Sequence, residues 1–306
     1  MTVLISGASG FLGSRLVARL AADGHKIVAL TRRPTSESIG EKPNVRWISC
    51  DIARDGLETG DLPDIEVVVH LAGATLGASK DEAVFLHANE QMTVRLCQAM
   101  ASRTDHFVFA SSQVVYGDAC HLSVTEDFPV SANGSAYACS KLNSENWLRW
   151  FQKRHGGQYL ALRYCGFING GGLVDYVVDR AIAGDPIKLY SRGEVRRDYL
   201  PSDEGVNALI AAMKFSGESG FLPINIGSGQ AVSALDLARL VCGELGSASP
   251  IELLTTPSPQ GDFVFSGERA KRLLGFQPGS LIEAVRHYAR CRLEQYQEQV
   301  VGNAKD

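Results

Sequence analysis

The sequence predicts an α/β fold: a doubly wound parallel sheet followed by a smaller C-terminal α/β lobe. Three observations predict it. Short apolar runs alternate with longer stretches of helical periodicity over the first 165 residues. Gly7, Gly10 and Gly13 sit between the first apolar run and the first helical stretch. After residue 165 the pattern loosens, and Asn169 with Gly170, Gly171 and Gly172 forms a loop. A chain of 306 residues suits one large α/β unit or two small ones. The patterning divides it into 1–165 and 166–306, a soft boundary across which later segments can return to the main sheet.

Each element follows from its residues. Val3, Leu4 and Ile5 are a run fit for a strand buried on both faces. Residues 12–23 read as a helix, with Leu12, Leu16, Val17 and Leu20 on one face and Gly24 as its stop. Lys26–Leu30, Val45–Ser49 and Val67–Leu71 read as strands, then 82–102 as a long helix. Phe107–Ala110 is a strand, Ala136–Arg154 a second long helix and Tyr159–Leu162 another strand. Beyond them lie helices 174–183, 203–215, 234–245 and 280–299, with short strands near 187–190 and 223–226. The tail after Val301 is polar, and there is no internal repeat.

Composition narrows the function. The chain is 45% hydrophobic and 21% charged, an ordinary globular balance. A formal charge of −4 with no polybasic run argues against a nucleic-acid partner. No apolar segment approaches the roughly 20 residues that span a bilayer, and the chain starts directly in a strand, so a cytoplasmic protein is expected. Seven scattered cysteines, none spaced as CxxC, predict neither a disulfide framework nor a metal site. Of these, Cys120 and Cys139 lie closest to the stretches that carry chemistry.

Glycines at a strand-to-helix turn let the backbone bend and approach a pyrophosphate, and they aim the helix N-terminus at its charge. The spacing here is GxxGxxG, and with the strand before it and the helix after it the turn predicts a Rossmann-type nucleotide site. The second strand runs into Thr31-Arg32-Arg33, where NAD-preferring sites carry an acidic residue for the ribose hydroxyls. Two arginines suit a 2′-phosphate, which favours NADP(H) over NAD(H). Asp51, just past the third strand, is placed to accept from the adenine amino group. Tyr137 and Lys141 are four apart on a helix and so share a face. A lysine there favours the phenolate and lowers the tyrosine pKa toward a range useful for acid–base work. Ser111 and Ser112 end the fifth strand, where a hydroxyl can polarise a substrate carbonyl.

Eight stretches in order now carry a resemblance. They are Gly7-Ala-Ser-Gly-Phe-Leu-Gly13, Asp51-Ile52, His70-Leu-Ala-Gly73, Ser111-Ser-Gln-Val-Val-Tyr-Gly117, Tyr137-Ala-Cys-Ser-Lys141, Leu162-Arg-Tyr164, Arg197-Asp-Tyr-Leu-Pro-Ser-Asp203 and Asn225-Ile-Gly-Ser-Gly229. Together the chain resembles the extended short-chain dehydrogenase/reductase family, in its nucleotide-sugar epimerase/dehydratase branch. The resemblance implies that Gly7, Gly10 and Gly13 receive the pyrophosphate beside the Phe11 and Leu12 amides. It implies that Asp51 and Ile52 flank the adenine and that Leu71, Ala72 and Gly73 line the cofactor cleft, with Asn89 near the lysine. Ser112, chosen over Ser111 by its spacing to Tyr116-Gly117, polarises the reacting oxygen. Tyr137 moves the proton, Lys141 holds the ribose, and Arg197 meets the substrate phosphates. His70 reads as structural, while His121 and Arg196 read as solvated. Helices 82–102 and 136–154 carry apolar residues beyond one stripe, and in this family such helices pair in a homodimer, although core packing explains them nearly as well.

Departures bear on the substrate. Gln113 and Val114 stand where dehydratases of the branch carry an acid–base pair, which counts against a 4,6-dehydratase. Cys165-Gly166 replaces a usual asparagine contact, a role open to Asn169, and Gln260 stands where an arginine is usual. The favoured reading is an NADP(H)-preferring oxidoreductase that reduces a keto group of a nucleotide-sugar by hydride transfer. An epimerase using the same residues is its rival. A reductase of a smaller alcohol and a non-catalytic NAD(P)-binding sensor are the remaining alternatives. Replacing Arg32 and Arg33 by alanine should weaken NADPH binding by at least about tenfold more than NADH binding, read by fluorescence titration; equal losses would refute the cofactor assignment.

Overall fold

The computed structural model describes residues 1–32, 42–75, 79–117, 121–132 and 134–303. The N-terminal part runs β1 (Thr2–Ser6), α1 (Phe11–Ala22), β2 (Lys26–Thr31), β3 (Val45–Ser49), α2 (Ile52–Asp55) and β4 (Val67–His70). Then come α3 (Ala83–Phe85), a π-helical turn (Leu86–Gln91), α4 (Met92–Met100), β5 (His106–Ser112) and a 3-10 turn (Gln113–Tyr116). They are followed by β6 (His121–Val124), α5 (Ala136–His155) and β7 (Gln158–Tyr164). The C-terminal part holds β8 (Gly166–Phe167), α6 (Leu173–Ala183), β9 (Ile187–Leu189), β10 (Arg196–Arg197), β11 (Tyr199–Leu200) and α7 (Ser202–Met213). It continues with β12 (Gly220–Ile226), β13 (Val232–Ser233), α8 (Ala234–Leu245), β14 (Ile251–Leu253), β15 (Phe263–Phe265), α9 (Glu268–Leu274) and α10 (Leu281–Asn303).

Seven strands form one parallel sheet in the order β12-β7-β5-β4-β1-β2-β3. Their apolar character has a direct cause, because successive side chains point to opposite faces and both faces are covered. Val3 and Ile5 join the apolar layer shared with Leu16 and Leu20 of α1 and Leu209 of α7. Leu4 between them joins the opposite layer, with Leu96 and Met100 of α4 and Leu148 and Phe151 of α5. The alternation repeats along β4 and β5, where Val69 and Val108 face one layer and Val68 and Phe107 the other.

The C-terminal residues do two things. One segment, β12, returns to the main sheet and pairs along its whole length with β7, Gly220 opposite Gln158 through Ile226 opposite Tyr164. Helices α7 and α9 cover the main sheet through Leu209 and Ala270, while α6, α8 and α10 pack around Val177, Leu237, Val241 and Val285. A small four-stranded sheet, β13-β10-β15-β6, joins both halves of the chain, because β6 precedes α5 in sequence. The sequence pattern passes over this sheet, α2 and α9, since strands of two to four residues and helices of four and seven residues carry too little periodicity. It also reads 82–102 as one helix, where the structure inserts a π turn over Leu86–Gln91. Among the described residues no helix is long and apolar enough to cross a membrane.

Phe107 and Tyr159 stack across β5 and β7 with ring centroids 4.4 Å apart, each 1% exposed. Phe107→Ala should cost about 3–5 kcal/mol in urea unfolding. A loss under about 1 kcal/mol would show that this layer does not carry the sheet.

Candidate active site

Parallel strands bring their C-terminal ends to one edge, and the glycine turn, Thr31, Leu71 to Gly73 and Ser112 follow or end those strands. At the end of β1, Gly7 takes φ +71°, and a Cβ on it would fall 2.6 Å from the Ala72 nitrogen. A Cβ on Gly13 would fall 2.1 Å from the Gly7 carbonyl oxygen. Both positions therefore exclude any side chain. Gly10 caps α1 with no side-chain hydrogen bond, and the first turn has no acidic residue. The backbone amides at Phe11 and Leu12 thus open a helix N-terminus suited to an anion. The Phe11 side chain is 39% exposed and sits edge-on to Phe167, while Leu12 is buried. The cradle fits a dinucleotide pyrophosphate.

Thr31 ends β2 buried, its hydroxyl 2.8 Å from Ser9 Oγ of the glycine turn. Arg32 follows it, exposed, and Arg33 lies outside the described residues. Asp51 caps α2 by accepting from the Ala53 and Arg54 amides. The Ile52 side chain is buried in the layer beneath the sheet, so it presents only backbone to the edge. On the next strand, the Leu71 amide donates to the Ser6 carbonyl and the Ala72 amide to Ser6 Oγ.

Gly73 is hemmed in: a Cβ there would fall 2.8 Å from Asn89 Oδ1 and 3.6 Å from Lys141 Nζ. Asn89 holds this loop from the π turn. Its Oδ1 accepts from the Ala74 amide at 2.7 Å, and its Nδ2 donates to the Ala74 carbonyl and to Ser140 Oγ. Thr93 donates to the Asn89 carbonyl and to Ser144 of α5. His70 is buried between Ser6 Oγ at 2.7 Å and Thr93 Oγ1 at 2.9 Å. Burial, reinforced by the Lys141 charge, pulls its pKa down to about 3, so it is a neutral structural ring. Asn89 and Thr93, two polar residues on an otherwise inward apolar face, were the sequence signal for this polar seam.

Ser111 and Ser112 point opposite ways, as strand neighbours must. Ser111 Oγ donates to Glu145 Oε1 at 2.5 Å, whereas Ser112 hydrogen-bonds Tyr137. Lys141 Nζ donates to the Ala110 carbonyl at 2.8 Å and lies 4.7 Å from the Phe109 ring centroid. Burial pulls Lys141 down to about 8, against the opposing pull of Glu145. Tyr137 moves contrary to the sequence expectation: burial raises its pKa, and the Ser112 bond partly offsets the rise. Lys141 Nζ is hydrogen-bonded to the Ala110 carbonyl, and burial outweighs the lowering that the sequence expected from the lysine.

The opposite wall gathers fewer contacts. The Oε1 of Gln113 and the Oδ1 of Asn169 are buried without a hydrogen-bond partner among the described residues. Asn169 Nδ2 reaches Ser202 Oγ at 3.2 Å. Arg197 lies in register with Phe263, its guanidinium 5.5 Å from that ring, and donates to the Gly261 carbonyl. Arg196 forms a surface pair with Asp262. His121 is exposed beside Phe128, Cys139 is exposed with its thiol on the Ala132 carbonyl, and Cys120 is outside the described residues. Sequence reasoning missed Glu145, although it continues the four-residue spacing of Tyr137 and Lys141.

With this geometry in hand, comparisons with known proteins agree on one family. Residues 3–227 match the model of the NAD dependent epimerase/dehydratase family. The chain is 30% identical to a UDP-glucose 4-epimerase of Mycolicibacterium smegmatis, over 91% of this chain and 94% of that protein. It is 26% identical to a UDP-glucose 4-epimerase of Lactobacillus helveticus, over 91% and 92% respectively. The structure of MoeE5 in complex with UDP-glucose and NAD superposes with a TM-score of 0.81 at 26% identity, covering 96% of this chain and all of that one.

His70 yields a prediction about pH. Its folded pKa lies below the ordinary 6.5, so its contribution to stability is full above that value and drains away as pH falls toward about 3. Across that window wild type should lose on the order of 4 kcal/mol more than His70→Gln, measured by urea unfolding. Parallel curves would contradict a buried neutral His70.

Proposed function

The chain belongs to the NAD dependent epimerase/dehydratase family, and within it we propose an epimerase of a nucleotide-linked hexose, with UDP-glucose as the substrate to test first. The observation that carries this reading is the meeting of Ser112, Tyr137 and Lys141 beside the glycine cradle. The UDP-glucose 4-epimerase relatives support epimerisation. Gln113 and Val114 offer no proton donor for a leaving hydroxyl, which speaks against dehydration.

In this reading Gly7, Gly10 and Gly13 and the Phe11 and Leu12 amides hold the pyrophosphate. Asp51 and Ile52 bound the adenine, Leu71, Ala72 and Gly73 line the cleft, and Lys141 holds the nicotinamide ribose. Asn89 keeps the Gly73–Ala74 loop in place through both of its amide groups. The dinucleotide, when bound, would supply the hydride-transfer redox chemistry of the reaction. Tyr137, once ionised to the phenolate, takes the hydroxyl proton from the oxygen of the reacting sugar carbon and later returns it. Ser112 donates to the same oxygen and steadies its negative charge. Gln113 and Asn169, whose side-chain oxygens are buried without a partner among the described residues, serve the sugar hydroxyls in this reading, and Arg197 the diphosphate.

One observation favours a second reading, an NADPH-consuming keto-sugar reductase. Thr31 and Arg32 occupy the end of β2 where an acidic residue would repel a 2′-phosphate. Under either reading residues 1–165 carry most of the dinucleotide site and 166–306 the substrate side. A cytoplasmic homodimer completes the proposal, formed by α4 and α5, where Trp147 and Trp150 are 40% and 48% exposed.

UDP-glucose, UDP-galactose, UDP-glucuronic acid and UDP-N-acetylglucosamine should be screened with NAD and NADP by anion-exchange chromatography and nicotinamide absorbance. Interconversion of epimers without net absorbance change is expected. Tyr137→Phe should lower kcat by about 10²–10⁴-fold. A keto-sugar that drains NADPH one for one would favour the reductase, and unchanged turnover in Tyr137→Phe would sink both mechanisms.

A further inference from the structure

Three consecutive residues at the end of β5 are each tied to one face of α5. The Ala110 carbonyl accepts from Lys141, Ser111 donates to Glu145, and Ser112 bonds Tyr137. Tyr137, Lys141 and Glu145 are spaced four apart, so the ties share a single helix face. Glu145 is 1% exposed and receives three hydrogen bonds. Besides Ser111, Arg163 Nε reaches its Oε1 at 3.0 Å and Arg163 Nη2 its Oε2 at 2.6 Å. The remaining arm of Arg163 donates to Tyr116 Oη at 2.8 Å, and Tyr116 donates in turn to Asn225. Ser111 and Tyr116 bracket Ser112 and the 3-10 turn that follows it. The pair therefore holds the chain on both sides of Ser112 without a hydrogen bond to Ser112 itself.

We propose that Glu145 is a positioning residue for the acid–base apparatus, fixing Ser112 through Ser111 and Arg163 and setting a buried carboxylate one helical turn from Lys141. This rests on the reading of Ser112, Tyr137 and Lys141 as that apparatus. A stabilising role alone explains the pair poorly, because a buried ion pair often costs as much in desolvation as it returns. Charge balance explains it better. The groups facing Lys141 are the neutral His70 on β4, the un-ionised Tyr137 and the Glu145 carboxylate on α5, with Arg163 on β7 behind that carboxylate. Two buried cations share one anion. Removing it leaves Lys141 with burial unopposed.

The test uses the full chain with NAD bound, in three forms: Glu145→Gln, Ser111→Ala and the double variant Glu145→Gln/Arg163→Met. The double variant leaves no unpaired guanidinium and serves if the single one fails to fold. Lys141 is titrated by carbon NMR with ¹³Cε-lysine, assigned through Lys141→Arg, and kcat and KM are followed against pH with UDP-glucose. In Glu145→Gln, Lys141 should titrate roughly one pH unit lower, with the alkaline limb of kcat moving alike and KM changing less than about twofold. The double variant should shift in the same direction by less, since a neighbouring cation is also gone. Ser111→Ala should lower kcat by about tenfold while the Lys141 titration stays in place. An unmoved Lys141 titration in the folded single or double variant, with only thermal stability lost, overturns the proposal. Should wild type turn over no nucleotide-sugar, the proposed function fails, while the titration still decides the role of Glu145.

Discussion

The site depends on how α5 is held against the sheet, and its N-terminal half is held by buried polar groups. Leu148 and Phe151 anchor the later turns in an apolar layer. The earlier turns, which carry Tyr137 and Lys141, meet β5, β7 and the π turn through Ser140, Ser144, Lys141 and Glu145. Apolar packing tolerates sliding and repacking, whereas a hydrogen-bonded seam with every group satisfied has one register. Each such bond adds only about 1 kcal/mol to stability, but leaving a buried partner unpaired costs more. The seam spends little stability and obtains a fixed distance between Ser112 and Tyr137.

The parallel sheet makes that seam useful. With β1, β2, β4 and β5 pointing one way, their ends deliver Gly7, Thr31, the Leu71–Gly73 loop and Ser112 to one edge. Gly7 and Gly13 admit no Cβ because the backbone of neighbouring turns already fills the space. At Gly73 the crowding comes from side chains, since a Cβ there would fall 2.8 Å from Asn89 Oδ1 and 3.6 Å from Lys141 Nζ. Away from that edge, β10, β15 and β6 put Arg197, Phe263 and His121 in one cross-strand row.

Much of this was legible in the residues. The β1 run, the glycine turn, α1 and the Tyr137–Lys141 pair rest on contacts within a few residues, and local spacing reports those. The Glu145–Arg163 pair, the π turn at Asn89 and the Arg197–Phe263–His121 row depend on residues far apart in the chain, which spacing does not report. The return of β12 to the sheet likewise follows from pairing with β7. The direction of the Tyr137 shift was misread because sequence shows a lysine four residues away but not how deeply the phenol is buried. Gln113 and Asn169 were legible as departures, and the structure adds that each keeps an oxygen without a partner among the described residues.

The central claim is that one carbon of a nucleotide-linked hexose loses and regains its hydrogen inside this site, with Tyr137 handling the proton. Deuterium placed at C4 of UDP-glucose reports this directly by NMR and mass spectrometry of the products. The account predicts UDP-galactose that keeps the label at C4, with no accumulation of reduced dinucleotide. Loss of the label to solvent, or label appearing in released dinucleotide with no galactose epimer formed, would contradict it.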